Sequence, residues 1–399
     1  MIADLIPVYK QLLEQVKALG VEEIQIHEPA LVFDEPELLP LFKAVYPVIL
    51  PSDVSINMVS FMGDVGESNY QWLQSEKNGI EIVSLDFTRG TTLELIEKFS
   101  FSAKKTLGAG LIDSRNVWKV TPEVTLPIVK KLNALNIKYR VQPSGSLQYA
   151  PWDFDQETKL SSHVASSVLS FAKQKLGELE EVAAAANGKS DLSDHDTAWT
   201  NYHVDRQQLA TAAQSVSERV ANLKKEDFLR SEDYATRRPK QLIGTPLLPT
   251  TTIGSFPQTA EIRKLRAQWK KGSLSTADYE AAMDQQISFC IGIQEALGLD
   301  ILVHGEAERT DMVEFFAQQM EGMLFTQHGW VQSFGSRCVR PPIFWTDIHR
   351  PNAMTTREYE VAQALTTKPV KGMVRSLEIY VVTTMHDLIL SNKNIYSQL

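Results

Sequence analysis

A chain of 399 residues, 43% hydrophobic and 22% charged, has the composition of an ordinary globular protein, with length for about two or three domains. Its formal charge of -9, without basic runs, argues against a nucleic-acid or anionic-membrane surface, which needs clustered Lys and Arg. The start lacks a signal-peptide pattern, no apolar stretch is long enough to span a bilayer, and Cys290 and Cys338 form no CxxC pair, so a cytoplasmic setting with free thiols is expected.

In chain order, Leu5, Val8, Leu12, Leu13, Val16 and Leu19 form the apolar stripe of a first helix. Runs rich in β-branched residues then predict strands at Glu23 to His27, Val54 to Phe61, Ile80 to Asp86, Lys105 to Ile112 and Tyr139 to Pro143. Their spacing, roughly 25 to 35 residues, is that of βα units around a parallel sheet. Several runs end in polar or turn-forming residues, among them His27-Glu28, Asp86 and Asp113, where the loops of a barrel carry its chemistry. Leu160, Val164, Val168, Phe171, Leu176 and Leu179 predict one long helix over 157–187, ended by Gly188. A polar stretch from Lys189 to Asn201 interrupts the pattern, a helical piece runs from Val204 to Lys225, and Pro239, Pro246 and Pro249 mark an extended connector.

The βα rhythm then resumes. A strand is expected at Thr251 to Gly254, helices over Ala260 to Lys271 and Thr276 to Leu297, and strands at Asp300 to His304, Pro342 to Trp345 and Val370 to Val374. Neither half reaches eight strands. A faint internal echo links Ala18-Leu19-Gly20 before His27-Glu28-Pro29 with Ala296-Leu297-Gly298 before His304-Gly305-Glu306, although helix-Gly-strand units recur in all α/β proteins.

Three stretches can carry chemistry. Ile253-Gly254-Ser255 leaves a strand through a Gly and enters a helix at Thr259; its free amides can hold a carboxylate, or the stretch is a plain βα loop with Thr259 as helix cap. His304, Glu306, Glu308 and Arg309 gather ionisable groups at a strand end, where a carboxylate can bind an ammonium group or the charges simply pair in a solvated loop. His304, Glu306 and Cys338 are the residue types of a zinc site, but no fourth partner is evident. Gly322 onward reads as a long loop in which Arg337 can clamp a carboxylate; an exposed Arg and a small buried thiol at Cys338 is the alternative.

These motifs in order, TTTIGSFPQT from Thr250, VHGEAERTDMVEFF from Val303 and GWVQSFGSRCVRPPI from Gly329, closely resemble the catalytic half of cobalamin-independent methionine synthase. IHEPALV from Ile26, LGAGLIDSRNVW from Leu107 and LSFAKQKLGEL from Leu169 resemble the later part of its N-terminal half. The resemblance implies an α/β fold made of parts of two (βα)8 TIM-type barrels, both incomplete, joined by a helical linker. On that basis residues 1–187 are the later part of the N-terminal barrel, 188–248 the linker, 249–374 the first part of the catalytic barrel, and 375–399 an unrelated tail, frameshifted or a genuine alternative end.

It further implies methyl transfer from 5-methyltetrahydropteroyltri-L-glutamate to L-homocysteine, giving methionine, with zinc holding the homocysteine sulfur as thiolate. By position Ile253, Gly254 and Ser255 would contact the amino-acid part of homocysteine, Glu306 its ammonium group, and Arg337 and Cys338 the folate. The family's zinc ligands, proton-donating histidine and folate-stacking Trp fall beyond Met373-Val374, with Thr383 where that Trp would stand, so the ligand-bearing segment is expected to be absent. Negligible methyl transfer by this chain alone is therefore expected, and a non-catalytic fragment or complementation partner is the rival reading.

Overall fold

The computed structural model describes residues 2–372, apart from 34, 210, 242–243 and 334. Phe334, the end of the expected run at 373–374, Thr383 and the tail 375–399 lie outside the described residues. The described chain forms two compact units, one of residues 2–208 with 326–340, the other of 209–325 with 341–372.

The first unit alternates helices and strands: α1 (Ile2–Lys17), β1 (Glu23–His27), α2 (Leu38–Ile49), β2 (Ser55–Val59), α3 (Gly66–Leu73), β3 (Ile82–Asp86), α4 (Thr92–Phe99), β4 (Thr106–Ile112), α5 (Pro122–Ala134), β5 (Tyr139–Pro143), α6 (Ala172–Ala186) and α7 (Ser193–Leu209). The strands form one parallel sheet in sequence order, β1-β2-β3-β4-β5, with the register fixed by pairs such as Ile24↔Ile56 and Ile82↔Thr106. Each crossover carries one α-helix, preceded in the first by a 3-10 turn at Pro29–Phe33, and gives the long connection that parallel neighbours require. Among the described residues the sheet is open, with β1 and β5 as its edges and no closed barrel.

Side chains alternate along each strand, so the sheet has two unlike faces. Ile24, Ile56, Met58, Val83, Leu85, Leu107, Ala109 and Leu111 join the apolar cluster beneath the helices. The opposite face carries a polar ladder in which Asn57 donates to Gln25 at 3.3 Å and Ser84 donates to Asn57 at 2.6 Å. At the strand ends Asp86 is fully buried yet accepts bonds from the Gly63 and Thr88 amides and the Thr88 hydroxyl, and Arg89 pairs with Asp113 at 2.9 Å.

Three expectations change here. The stripe of α1 is only partly covered: Leu13 is buried, whereas Leu5, Val8, Leu12 and Leu19 are exposed. The helix expected over 157–187 is α6 alone. Residues before it form 3-10 turns at Phe154–Gln156 and Val164–Val168, whose spacing of about three residues per turn mimics helical periodicity. The polar stretch at 189–201 lies largely within α7, whose buried residues His195, Trp199 and Tyr202 give it a core-facing side that its composition hides.

The second unit begins with α8 (Thr211–Ala221) and α9 (Tyr234–Arg237) and continues with α10 (Ala260–Lys270), α11 (Thr276–Ala296), α12 (Met312–Ala317) and β6 (Glu321–Leu324). The chain then contributes the hairpin β7 (Val331–Gln332) and β8 (Cys338–Val339) to the first unit, and returns with β9 (Ile343–His349), antiparallel to β6, and α13 (Thr356–Ala364). The stretch from Gly322 is therefore two antiparallel pairings rather than one long loop. The strand expected at 342–345 is β9, extended to His349. The strands expected at 251–254 and 300–304 are not ladders; isolated parallel bridges, Ser255↔Gly305 and Leu302↔Val370, hold these segments.

Candidate functional site

Segment 300–305 runs between 250–256 and 369–371, and its backbone is satisfied piecemeal. Thr250 O accepts from the Asp300 and Ile301 amides at 3.1 and 3.0 Å, and the Asp300 carboxylate accepts from the Thr250 amide and hydroxyl at 2.8 and 2.7 Å. Those bonds hold the Asp300 carboxyl below the usual carboxylate range. Leu302 N donates to Pro369 O and receives Lys371 N at its own carbonyl, 2.9 and 2.8 Å. The buried side chain of Gln294 on α11 serves Val303 as a strand would, accepting its N–H at 2.9 Å and donating to its carbonyl at 2.7 Å.

At the end of these adjacent segments stand Gly254 and Glu306. Gly254 has φ +149, and a Cβ there would come within 2.5 Å of Glu306 Oε1, so the carboxylate rests directly on the glycine backbone. Glu306 itself has φ +55, a left-handed conformation that non-glycine residues rarely take, and is 3% exposed. Its other oxygen, Oε2, receives both Nε and Nη2 of Arg309. Phe256 N donates to Gly305 O at 2.9 Å, which completes the junction of the two strand ends. Ile253 is 96% exposed, and Ser255 is also exposed.

Behind Glu306, the buried Arg266 of α10 donates through Nη2 to Gln258 Oε1 and Ala307 O, both at 2.5 Å, and to Arg309 O at 3.1 Å. Gln258 Nε2 donates to Glu306 O at 3.1 Å. Thr259 caps α10 through a bond from Ile262 N at 3.2 Å, as its position after the loop predicts. No motif or spacing in the sequence marks Arg266 or Gln258 as a site residue. The readable signal was Arg266 on the same face as the buried Ile262, four residues along the helix, where an apolar residue is the norm.

His304 is buried with Nε2 3.1 Å from Glu308 Oε1. Burial disfavours the imidazolium, but Glu308, with Glu306 and Glu358 beyond it, outweighs this and raises its proton affinity. Burial also raises Glu358, helped by Glu308. These acids therefore pair within the unit instead of forming a solvated loop.

Arg337 and Cys338 belong to the first unit, on the exposed turn side of the β7–β8 hairpin, where Ser333 N donates to Arg337 O at 2.8 Å. Cys338 is exposed, not the small buried thiol that was the alternative. The base of the hairpin is tied to the first unit by Glu157, 1% exposed, whose carboxylate accepts from the Gln327 and His328 amides.

Among the described residues, the candidate ligands for the zinc that the resemblance implies are otherwise engaged. Cys290 is buried against Gly305, with its thiol pushed up to about 11 by burial, the opposite of what a metal thiolate needs. His304 is engaged by Glu308. Among the described residues no group of three or more His, Cys, Asp or Glu can hold a metal ion. No helix among them is long and apolar enough to cross a membrane.

The two halves match two family models. Residues 1–136 match the cobalamin-independent synthase N-terminal domain, and residues 248–379 match the cobalamin-independent synthase catalytic domain, the part that contains Gly254 and Glu306. The chain is 47% identical over 377 residues to the 5-methyltetrahydropteroyltriglutamate–homocysteine methyltransferase of Trichodesmium erythraeum, covering 94% of this chain and 50% of the relative. The protein of the same name from Synechococcus sp. is 48% identical over 377 residues, covering 93% and 48%, and that of Lactococcus lactis subsp. lactis 40% over 381, covering 94% and 49%. The chain thus spans about half the length of the curated relatives it matches. With both domain models matched in order, and the strand-end motifs folded against each other, the chain belongs to the cobalamin-independent methionine synthase family.

Proposed function

We propose that this chain supplies the amino-acid pocket for methyl transfer from 5-methyltetrahydropteroyltri-L-glutamate to L-homocysteine, the reaction that yields methionine. In this reading the backbone at Ile253, Gly254 and Ser255 holds the carboxylate of homocysteine, Glu306 its ammonium group, and Arg337 and Cys338 meet the folate. The two βα-rich parts, 1–187 and 249–374, are portions of two (βα)8 barrels, with 188–248 as the linker. The observation that carries the reading is the buried Glu306 carboxylate laid against Gly254 at the end of two adjacent parallel segments.

The chemistry agrees with that assignment. A zwitterionic amino acid needs an acceptor for its ammonium and donors for its carboxylate, and a strand-end loop beside a buried acid offers both. Glu306 Oε1 accepts no bond from a described residue, which leaves it available to an ammonium. The zinc chemistry that would generate the thiolate is assigned to no residue here, so the role given to these side chains is holding and orienting the substrate.

Calorimetric titration with L-methionine, which carries the same backbone groups and does not oxidise to a disulfide, tests the reading. Binding is expected in the wild-type chain and a loss of about tenfold or more in Glu306→Gln, since an amide does not balance the ammonium charge. Equal affinity in the two proteins would sink it.

A further inference from the structure

We infer that Arg309 is the positioning residue that sets the pocket's specificity for an ammonium group, by taking one oxygen of Glu306 and leaving the other to the ligand. The inference rests on the reading of Glu306 given above and adds a residue that this reading does not use.

The geometry is asymmetric. Nε and Nη2 of Arg309 both reach Oε2, so the guanidinium caps one oxygen instead of bridging the pair. Oε1 is thereby turned to the Gly254 backbone, within 2.5 Å of where a Cβ would stand. The ion pair is enclosed, with side-chain exposures of 13% for Arg309 and 4% for Glu306, so water screens it little.

The turn that carries both residues is held from outside itself. Arg309 N closes on Glu306 O at 3.3 Å, Gln258 donates to the same carbonyl, and Arg266 gathers the carbonyls of Ala307 and Arg309. A left-handed glutamate persists only where its surroundings over-determine it, and these bonds do so. A free carboxylate in that place could rotate and offer either oxygen, or bind a cation of any shape. With Oε2 occupied, one acceptor remains at one position beside the glycine loop.

The consequence is a discrimination. A ligand with an α-ammonium gains a bond to Oε1, whereas one without it gains nothing from the pair. Removing Arg309 should cost the first and spare the second.

The test compares L-methionine with 4-methylthiobutanoate, its analogue lacking the amino group, by calorimetric titration of the wild-type chain, Arg309→Gln, Arg309→Lys and Glu306→Gln. Circular dichroism checks that each variant is folded. The wild type is expected to prefer L-methionine, and Arg309→Gln to lose about tenfold of that preference with the analogue unchanged. Arg309→Lys keeps the charge without the fork and should retain part of the preference, so it carries the test if the glutamine variant does not fold. A folded Arg309 variant with wild-type preference overturns the inference. Loss of preference in Glu306→Gln, seen together with that result, leaves the reading of the pocket standing. A wild type that binds neither compound better removes that reading and this inference together. Equal weakening of both ligands marks Arg309 as merely structural and also overturns it.

Discussion

Gly254 bears the strictest steric condition in the pocket. At φ +149 any L side chain is strained, and its Cβ would meet Glu306 Oε1 at 2.5 Å. Gly254→Ala is expected to cost about 1–3 kcal/mol of stability and to push the carboxylate from its seat, abolishing L-methionine binding. Urea unfolding and titration read the two effects separately; an alanine variant that binds normally would remove Gly254 from the site. A second residue-scale prediction concerns Lys105, which is 4% exposed and donates to Asn78 Oδ1 at 3.0 Å and to the Ile80 carbonyl. Burial pushes its amine down to about 8 from an ordinary 10.5. Between those values the unfolded chain holds the proton that the folded chain has lost, so stability rises with pH through this window. The buried Tyr46 and Tyr70, both raised by burial, oppose the trend only where unfolded tyrosines ionise, near about pH 10. Between pH 8 and 9.5 the wild type should gain about 1–2 kcal/mol relative to Lys105→Met, a comparison in which the burial-shifted Lys175 and Cys290, present in both proteins, cancel; an unchanged slope in the variant would assign the pH dependence elsewhere.

At the scale of elements, β1 to β5 were legible because each is a β-branched run closed by polar residues, and the observed ends fall within about two residues of the expected ones. Glu306 and the 253–255 loop were legible as a pair only through their motifs, since nothing in the spacing says that two strand ends 50 residues apart will touch. The segments 251–254 and 300–304 have the pattern of strands, yet Gln294 replaces a strand neighbour with a side-chain amide, an arrangement that periodicity cannot reveal. Residues 157–171 misled for another reason: their apolar spacing suits 3-10 turns as well as a helix, and the buried acid Glu157, which anchors the hairpin backbone, reads as an ordinary surface glutamate. The substitution Gln294→Leu keeps the volume but leaves the Val303 amide and carbonyl without partners. A loss of about 2–4 kcal/mol is expected, with faster hydrogen exchange at the Val303 amide. Wild-type protection there would mean that the segment is held by its bridges alone.

The two units have cores of different build, and this sets how the whole chain should come apart. In the first, one continuous apolar cluster runs from Leu13 to Leu192 under the sheet. In the second, Ile287, Ile291, Leu302, Ala362 and Val370 form one small cluster and Ile262, Tyr279, Met283 and Ala307 another. Burial of apolar area is the main source of stability, so the second unit should open at lower denaturant than the first. The two cysteines make this measurable without any added probe. Cys338 is exposed on the hairpin of the first unit, whereas Cys290 is buried in the second with its thiol pushed up to about 11, so a thiol reagent should label Cys338 at once in native buffer and Cys290 only on opening. Across a urea series, Cys290 labelling is expected to appear while the β3 and β4 amides still resist hydrogen exchange. Coincident transitions would instead make the chain one cooperative body, in which the cluster around Glu306 draws its stability from the first unit's sheet as much as from its own small core.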